Sequence, residues 1–523
     1  MADGRKNAVG FFVLGLMMAG LAAPMASFAQ VQHHMGGKPE APKATTKSTG
    51  TWAPKNIGYI KASNTSKDDA FGYAVALSGD GNTLAVGATN EDSAAKGVNS
   101  TAKGTATNSG AVYVYTRTAA GWKQQAYLKA SNAAEGAQFG IALSLTNDGN
   151  LLAVSATGEA SAAKGVNGDQ KDTSMEGAGA VYIFARSGAA WAQQAYLKAS
   201  NTGGPDVGYQ FGYSVSLSSD GSTLAVGSTS EPSGIGGINA NETDTGAPDS
   251  GAVYVFTHSG SDWAQQAHVK PWNTVTRGVL FGYSVGLSGN GDTLGVGTYD
   301  EQQGRGAVYV FTRNNGKWAQ QMRMQGANAE AGDSLGCALA ISDDGNTIVA
   351  GAFDEDAILT GIQPPDAGAH DEADDASAGA AYVFVRKDGK WSQQAYMKGF
   401  NTRLNDQFGW ALAMSRDGNT VAVGSHVEDS GSKGINGDQN DATMEDAGAV
   451  YVYTRSGDTW SPAAYVKASN PKPAAEFGIS VALSGDGKVL AAGATRENSA
   501  AKGVNGNQAD KSATNAGAAY VYY

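Results

Sequence analysis

A Phe-Gly pair, or its Leu-Gly equivalent, returns seven times along the chain: Phe71-Gly72, Phe139-Gly140, Phe211-Gly212, Phe281-Gly282, Leu335-Gly336, Phe408-Gly409 and Phe477-Gly478. The intervals are 68, 72, 70, 54, 73 and 69 residues. Recurrence at a fixed period restricts a chain to an array in which each unit completes its core against its neighbours. Four strand signals follow one another in every unit, of the types "FGYAVALS", "NTLAVGA", "GAVYVYTR" and "WKQQAYLKASN". All are rich in Val, Tyr, Trp and Leu. In "VYVY" both alternating faces are apolar, as in a sheet covered on both sides. The second strand is mostly Ala and Gly, which suits the crowded region where sheets converge on an axis. The predicted fold is all-β: a seven-bladed β-propeller of four-stranded antiparallel blades spanning residues 51–523.

One strand is out of place. Trp122, Trp191, Trp263, Trp318, Trp391 and Trp460 mark six fourth strands, and the seventh unit runs to "AAYVYY" after its third. Near the start, "TWAPKNIGYIKASN" (residues 51–64) repeats the fourth-strand pattern, so Trp52 is expected to supply the missing one. The ring is then closed by an N-terminal strand beside the strand ending at Tyr523, which covers two exposed edges. Short hairpins ("SGDGN", "RSGDTW") fall at one end of the blades and long variable connections at the other. The second face is where a rigid scaffold would present binding loops.

Ahead of the repeats, Arg5 and Lys6 precede an apolar run from Ala8 to Ala23, and Ser27-Phe28-Ala29 fits a small-x-small cleavage site. Residues 1–29 read as an export signal and 30–50 as a flexible polar leader, with no further apolar span. The expected location is periplasmic, surface-associated or extracellular, and the expected state is a monomer. A net charge of −12 without a clustered Lys/Arg face argues against nucleic acid as partner. The only cysteine, Cys337, lies in the strand pattern "LGCALAI" and is expected to be a buried, inert thiol.

The Phe-Gly start and the "AVGA" segment before each long loop resemble the FG-GAP repeat, which builds the seven-bladed propeller of integrin alpha chains. The resemblance covers residues 51–523 and implies a binding or adhesion scaffold. Repeats of the integrin type often hold calcium in an acid-rich loop between the first two strands. Here that loop has shrunk to forms such as "SGDGNT", with one acid (Asp80, Asp148, Asp220, Asp417, Asp486) in five blades. A single carboxylate cannot furnish six to eight oxygens, so these turns are not expected to bind calcium.

Positions that repeat in every blade serve the blade, and positions that break the pattern are the better functional candidates. Asn64, Asn132, Asn201, Asn273, Asn328, Asn401 and Asn470 recur at the end of the fourth strand. Glu91, Glu159, Glu231, Glu301, Glu355, Glu428 and Glu497 recur just beyond the second. These acids read either as acceptors of backbone amides or as a ring that binds cations. In "VNGDQKDTS" and "INGDQNDAT" the acids read as turn formers in preference to metal ligands.

Blades four to six depart from the pattern together. "KASN" becomes "KPWN" and "KGFN", placing Trp272 and Phe400 on the loop-bearing face, with Arg277 and Arg403 close behind each. Blade four has lost most of its long loop, and blade five carries "FDEDAILTGIQPPDAGAHDEADD". The ligand-binding candidates are Trp272, Phe400, Arg277 and Arg403. Asp354, Asp356, Asp371 and Asp374 are candidate oxygen ligands should calcium be bound. No enzyme is expected. "GYSVG" (282–286) lies in a strand pattern with no helix after it, and His258, His268, His370 and His426 fall in different blades. The expected function is a non-catalytic scaffold for an extracellular protein or glycan, the alternative a calcium-dependent module of a surface layer or matrix.

Overall fold

The computed structural model describes Ser48 and residues 50–203, 208–272, 277–365 and 377–523. The expected export signal, and all of the leader except Ser48 and Gly50, lie outside the described residues. Seven antiparallel sheets follow one another along the chain. In blade one the strands are Phe71–Leu77, Thr83–Ala88, Ala111–Thr118 and Gly121–Leu128, each paired with the next. Blades three and five add a fifth strand of two residues from the long loop, Gly237–Ile238 and Ile362–Gln363, along the outer edge. Blade four replaces its long loop with a single turn, Glu301–Gly304, in which Gln302 and Gln303 take positive φ.

In blade seven Val481–Leu483, Leu490–Ala494 and Ala518–Tyr522 are joined by Ile57–Ile60, which runs antiparallel with Ile57 opposite Tyr522 and Ile60 opposite Ala519. Trp52 lies ahead of this strand, because the spacing from Trp52 to Tyr59 is two residues longer than that from Trp122 to Tyr127. It is buried nonetheless and donates its indole N–H to Gly487 O at 2.8 Å.

The core lies between blades. Ala76, Val112 and Leu128 of blade one, for example, form a cluster with Phe139, Tyr182 and Trp191 of blade two. The Phe of the Phe-Gly pair packs edge-on against the third strand of its own blade, with Phe139 at 5.4 Å from Tyr182 and 6.0 Å from Phe184. Fully burying one such ring stabilises by about 2 kcal/mol.

The paired glycines have a steric cause. A Cβ on Gly87 would lie 2.2 Å from the carbonyl oxygen of Gly140, so the second strand of one blade and the first strand of the next meet backbone to backbone. Gly140 itself has φ +100°, a region closed to most side chains. At the hairpin end the convergence becomes a closed loop of hydrogen bonds. Gly79 donates to Asn147, Asn147 to Ser219, Ser219 to Gly289, Gly289 to Asp343, Asp343 to Arg416, Arg416 to Gly485 and Gly485 back to Gly79, at 2.8–3.1 Å. One residue from each blade contributes its N–H and its C=O.

Within each hairpin turn the carboxylate is consumed locally. Asp80 accepts from Ser78 Oγ and from the N–H of Asn82, and although burial opposes ionisation these bonds hold it below the usual carboxylate range. Asp148, Asp220, Asp344, Asp417 and Asp486 behave alike. Two residues before the Phe-Gly pair the opposite occurs. Burial pushes Asp69 and Asp333 up to about 7 and Asp406 well above the ordinary value, against the hydrogen bond each accepts from a loop amide.

Removal of residues 51–62 takes away the outer strand of blade seven and uncovers Tyr520 and Tyr522. A lowered melting temperature for the whole propeller is expected, and an unchanged one contradicts the assignment. The acids set the pH profile. Groups with raised folded pKa contribute stability that is complete below about pH 4 and lost as pH rises through 7, whereas the turn acids contribute above that range and are lost in acid. Melting temperature should therefore fall from about pH 5 to pH 8, and Asp69→Asn with Asp333→Asn should flatten the fall. A profile identical to wild type would remove these two acids from the account.

Candidate functional site

The repeated glutamates are buried, and their partners decide between the two readings of the ring. Lys129 Nζ of the fourth strand lies 2.7 Å from Glu91, and the pattern repeats as Lys198–Glu159 (2.6 Å), Lys270–Glu231 (2.7 Å), Lys398–Glu355 (2.5 Å) and Lys467–Glu428 (2.6 Å). In blade seven the cation comes from the N-terminal strand, with Lys61 at 3.0 Å from Glu497 and both side chains inaccessible to solvent. Backbone amides contribute as well, such as Ser93 N and Ser499 N. The Asn after the preceding blade's fourth strand reaches across, as Asn64 Nδ2 does to Glu91 at 2.9 Å, while Tyr113 donates to the other end of that amide. Six of the seven acids thus carry built-in ammonium groups, which favours the structural reading of the ring over the cation-binding one. Burial pulls Lys61, Lys129, Lys198, Lys270 and Lys398 below the ordinary lysine value, opposed by the facing carboxylate.

The candidates chosen from sequence fare unequally. Trp272 is 62% exposed and Arg277 is exposed, both in the connection from the outer strand of blade three to blade four. Phe400 is a correction. It is fully buried, packed edge-on against Tyr451 at 5.2 Å and against Tyr453 at 5.1 Å. The cause is local: Gly399 replaces the Ala of "KASN", and the aromatic ring turns inward, whereas Pro271 in blade four accompanies a tryptophan left in solvent. A joint Trp272–Phe400 surface is therefore not formed. Arg403 is a loop clamp, donating to the carbonyls of Asp441 and Asn440 at 3.1 Å each.

Asp354 accepts from Ser334 Oγ at 3.0 Å and burial pushes it up to about 6, while Asp356 accepts from the amide of Ser377. Asp371 and Asp374 lie outside the described residues. Among the described residues no group of three His, Cys, Asp or Glu side chains is arranged to hold a metal. In the long loops Asp172 accepts from Ala162 N and Ser174 N, which is turn chemistry.

One arrangement was not anticipated from sequence. The first strands of successive blades face one another around the axis, and at their loop-bearing ends an arc of rings runs through blades three to six. Tyr213 lies 4.9 Å from Tyr283, Tyr283 4.4 Å from Tyr299, Tyr299 6.4 Å from Phe353, Phe353 4.9 Å from Trp410, and Trp410 4.5 Å from His426. Cys337 belongs to the same stretch. It is half-buried, its Sγ pointing to Gly409 O at 3.6 Å, and burial pushes its thiol up to about 12, so it is protonated at neutral pH. At the hairpin end side chains fill the opening: Arg416 pairs with Asp343 at 3.1 Å and reaches Ser219 Oγ, three blades away, at 2.8 Å.

Among the described residues no helix is long and apolar enough to cross a membrane. The FG-GAP repeat family matches residues 56–115 and 122–184, that is, the strand 57–60, blade one and blade two up to its third strand. No curated protein matches the chain. Among solved structures, the β-propeller domain of Myceliophteria thermophila Cps50 (Swd1) superposes with a TM-score of 0.46 at 10% identity, over 90% of this chain and 100% of that one. The chain is a seven-bladed β-propeller whose N-terminal strand, first blade and most of its second match the FG-GAP repeat family, and the same Phe-Gly and small-residue pairs meet between successive sheets around the ring.

Proposed function

We propose that this protein is an exported, non-catalytic scaffold that holds an extracellular protein or glycan on its loop-bearing face. The observation that carries the reading is the division of labour between the two ends of the propeller. The hairpin end is closed by the ring of backbone hydrogen bonds and the Arg416–Asp343–Ser219 group, whereas the other end collects the long loops, the exposed Trp272 and Arg277. Groups that a hydrolase would use are engaged structurally. Ser284 of "GYSVG" donates to Gly336 O at 2.7 Å, His258 stacks on Trp263, and buried His268 faces Glu231.

A glycan array and a pull-down of extracellular proteins with wild type, a Trp272→Ala/Arg277→Ala variant and a Lys488→Ala variant on the hairpin end test it. Loss of an exposed aromatic anchor should weaken capture about tenfold, with Lys488→Ala neutral. Capture abolished by Lys488→Ala and unaffected by the loop-face changes would place binding on the wrong end.

A further inference from the structure

The residue directly after the second strand is threonine in four blades, Thr89, Thr157, Thr229 and Thr495. In the three consecutive blades four, five and six it is Tyr299, Phe353 and His426. A position that the fold fills with threonine elsewhere has no structural need of an aromatic ring, so the change is local to one side of the axis. Trp410, just ahead of the first strand of blade six (Ala411–Met414), joins Phe353 to His426, and Tyr283 joins the arc from blade four. Tyr283, Tyr299 and Trp410 are only half-buried, so water reaches them although neighbouring rings crowd them. The arc therefore lines the loop-bearing end of the axis, opposite the end where Arg416 pairs with Asp343.

Two polar atoms in this arc have no partner. Trp410 Nε1 and His426 Nδ1 are both inaccessible and without a hydrogen bond, and His426 is only 7% exposed. Of the other indoles, Trp191, Trp318, Trp391 and Trp460 each donate to a glutamine of the preceding blade at 2.8–2.9 Å, while Trp122 Nε1 and Trp263 Nε1, on the outer strands, are also without a partner. Unpaired buried donors are costly enough that each calls for an explanation. An indole N–H can only donate, so its complement is an oxygen. Carboxylates follow directly after two of the rings, Asp300 after Tyr299 and Asp354 after Phe353.

We propose that the axial mouth on the loop-bearing face is a carbohydrate subsite, in which a pyranose lays its C–H face on the half-buried rings of Tyr299 and Trp410, held in place by the buried Phe353 between them, and an oxygen accepts from Trp410 Nε1. Sugars present the three chemistries the arc offers: an apolar face for rings, oxygens for N–H donors, and hydroxyls for carboxylates. A cationic side chain fits less well at the Trp410 end, because the Arg496 charge bears on His426 and, with burial, keeps that imidazole neutral. This assignment rests on the scaffold reading above and names a ligand class for one part of its loop-bearing face.

Calorimetric titration of the full chain with cello-, xylo-, manno- and chito-hexaose provides the test, using wild type, Phe353→Thr, Trp410→Phe and Lys488→Ala. Threonine is already carried at the Phe353 position by four blades, so that variant should fold, and melting curves check it. At least one oligosaccharide should bind. Phe353→Thr should weaken it about tenfold and Trp410→Phe, which keeps a ring and loses the N–H, about threefold, while Lys488→Ala on the hairpin end changes it little. Absence of binding by every oligosaccharide, or binding indifferent to both mouth variants, overturns the subsite. So does a Lys- or Arg-rich peptide that binds at the mouth in place of sugar. If the subsite falls while protein capture still depends on Trp272 and Arg277, the scaffold reading stands; if neither sugar nor protein is held, both fall.

Discussion

A buried carboxylate that is given a cation by its own blade and an amide by the blade before it is the interaction on which this ring depends. Removing a charge from water costs several kcal/mol unless a counter-charge and hydrogen bonds replace the lost hydration. Glu159 has both: Lys198 Nζ at 2.6 Å, Tyr196 OH at 2.8 Å, and Asn132 Nδ2 from the preceding connection at 2.9 Å. The geometry can be met only when the outer strand, the loop after the second strand and the interblade connection are all in register. Blade four shows that the positive charge is what the site requires. Its lysine position is Gln325, and Arg323, two residues earlier, supplies the guanidinium to Glu301 at 2.7 Å.

From that tie the rest of the architecture follows. Blades are fixed to their predecessors near the axis by small residues in close contact and at the base by the cyclic chain of amides, and every blade but the fourth, whose Asn273 lies outside the described residues, is also tied near the loop-bearing end by the Asn–Glu bond. The N-terminal strand enters blade seven through the same set of groups, Lys61 and Tyr59 meeting Glu497 where other blades use their own fourth strand. Rigid blades leave variation to the loops and to the residues at the axial mouth, where no packing rule dictates identity. Those are the places where the seven units differ.

The number of blades, their order and the two kinds of end were legible because they depend on short-range signals. Glycines mark backbone contact, Asp-Gly turns mark hairpins, and alternating aromatics mark doubly covered strands. The glutamates were visible as a repeat, but the lysine that pairs with them lies 38 to 43 residues later in blades one to three, five and six and was not connected to them. Its compensating loss and gain at Gln325 and Arg323 was the available clue. Phe400 was misplaced because the same exposed slot in the repeat leads inward when Gly399 precedes it. The axial arc was missed because its rings come from different blades, and only the exchange of threonine for aromatics at one repeat position announces it.

The direct measurement is a denaturation cycle on blade two comparing wild type, Lys198→Met, Glu159→Gln and the double variant. If the carboxylate depends on its built-in cation, Lys198→Met alone strands a buried charge and should cost about 3 kcal/mol or more, while adding Glu159→Gln should return much of that loss. Single and double variants all within about 0.5 kcal/mol of wild type would contradict the claim that these pairs hold the blades together.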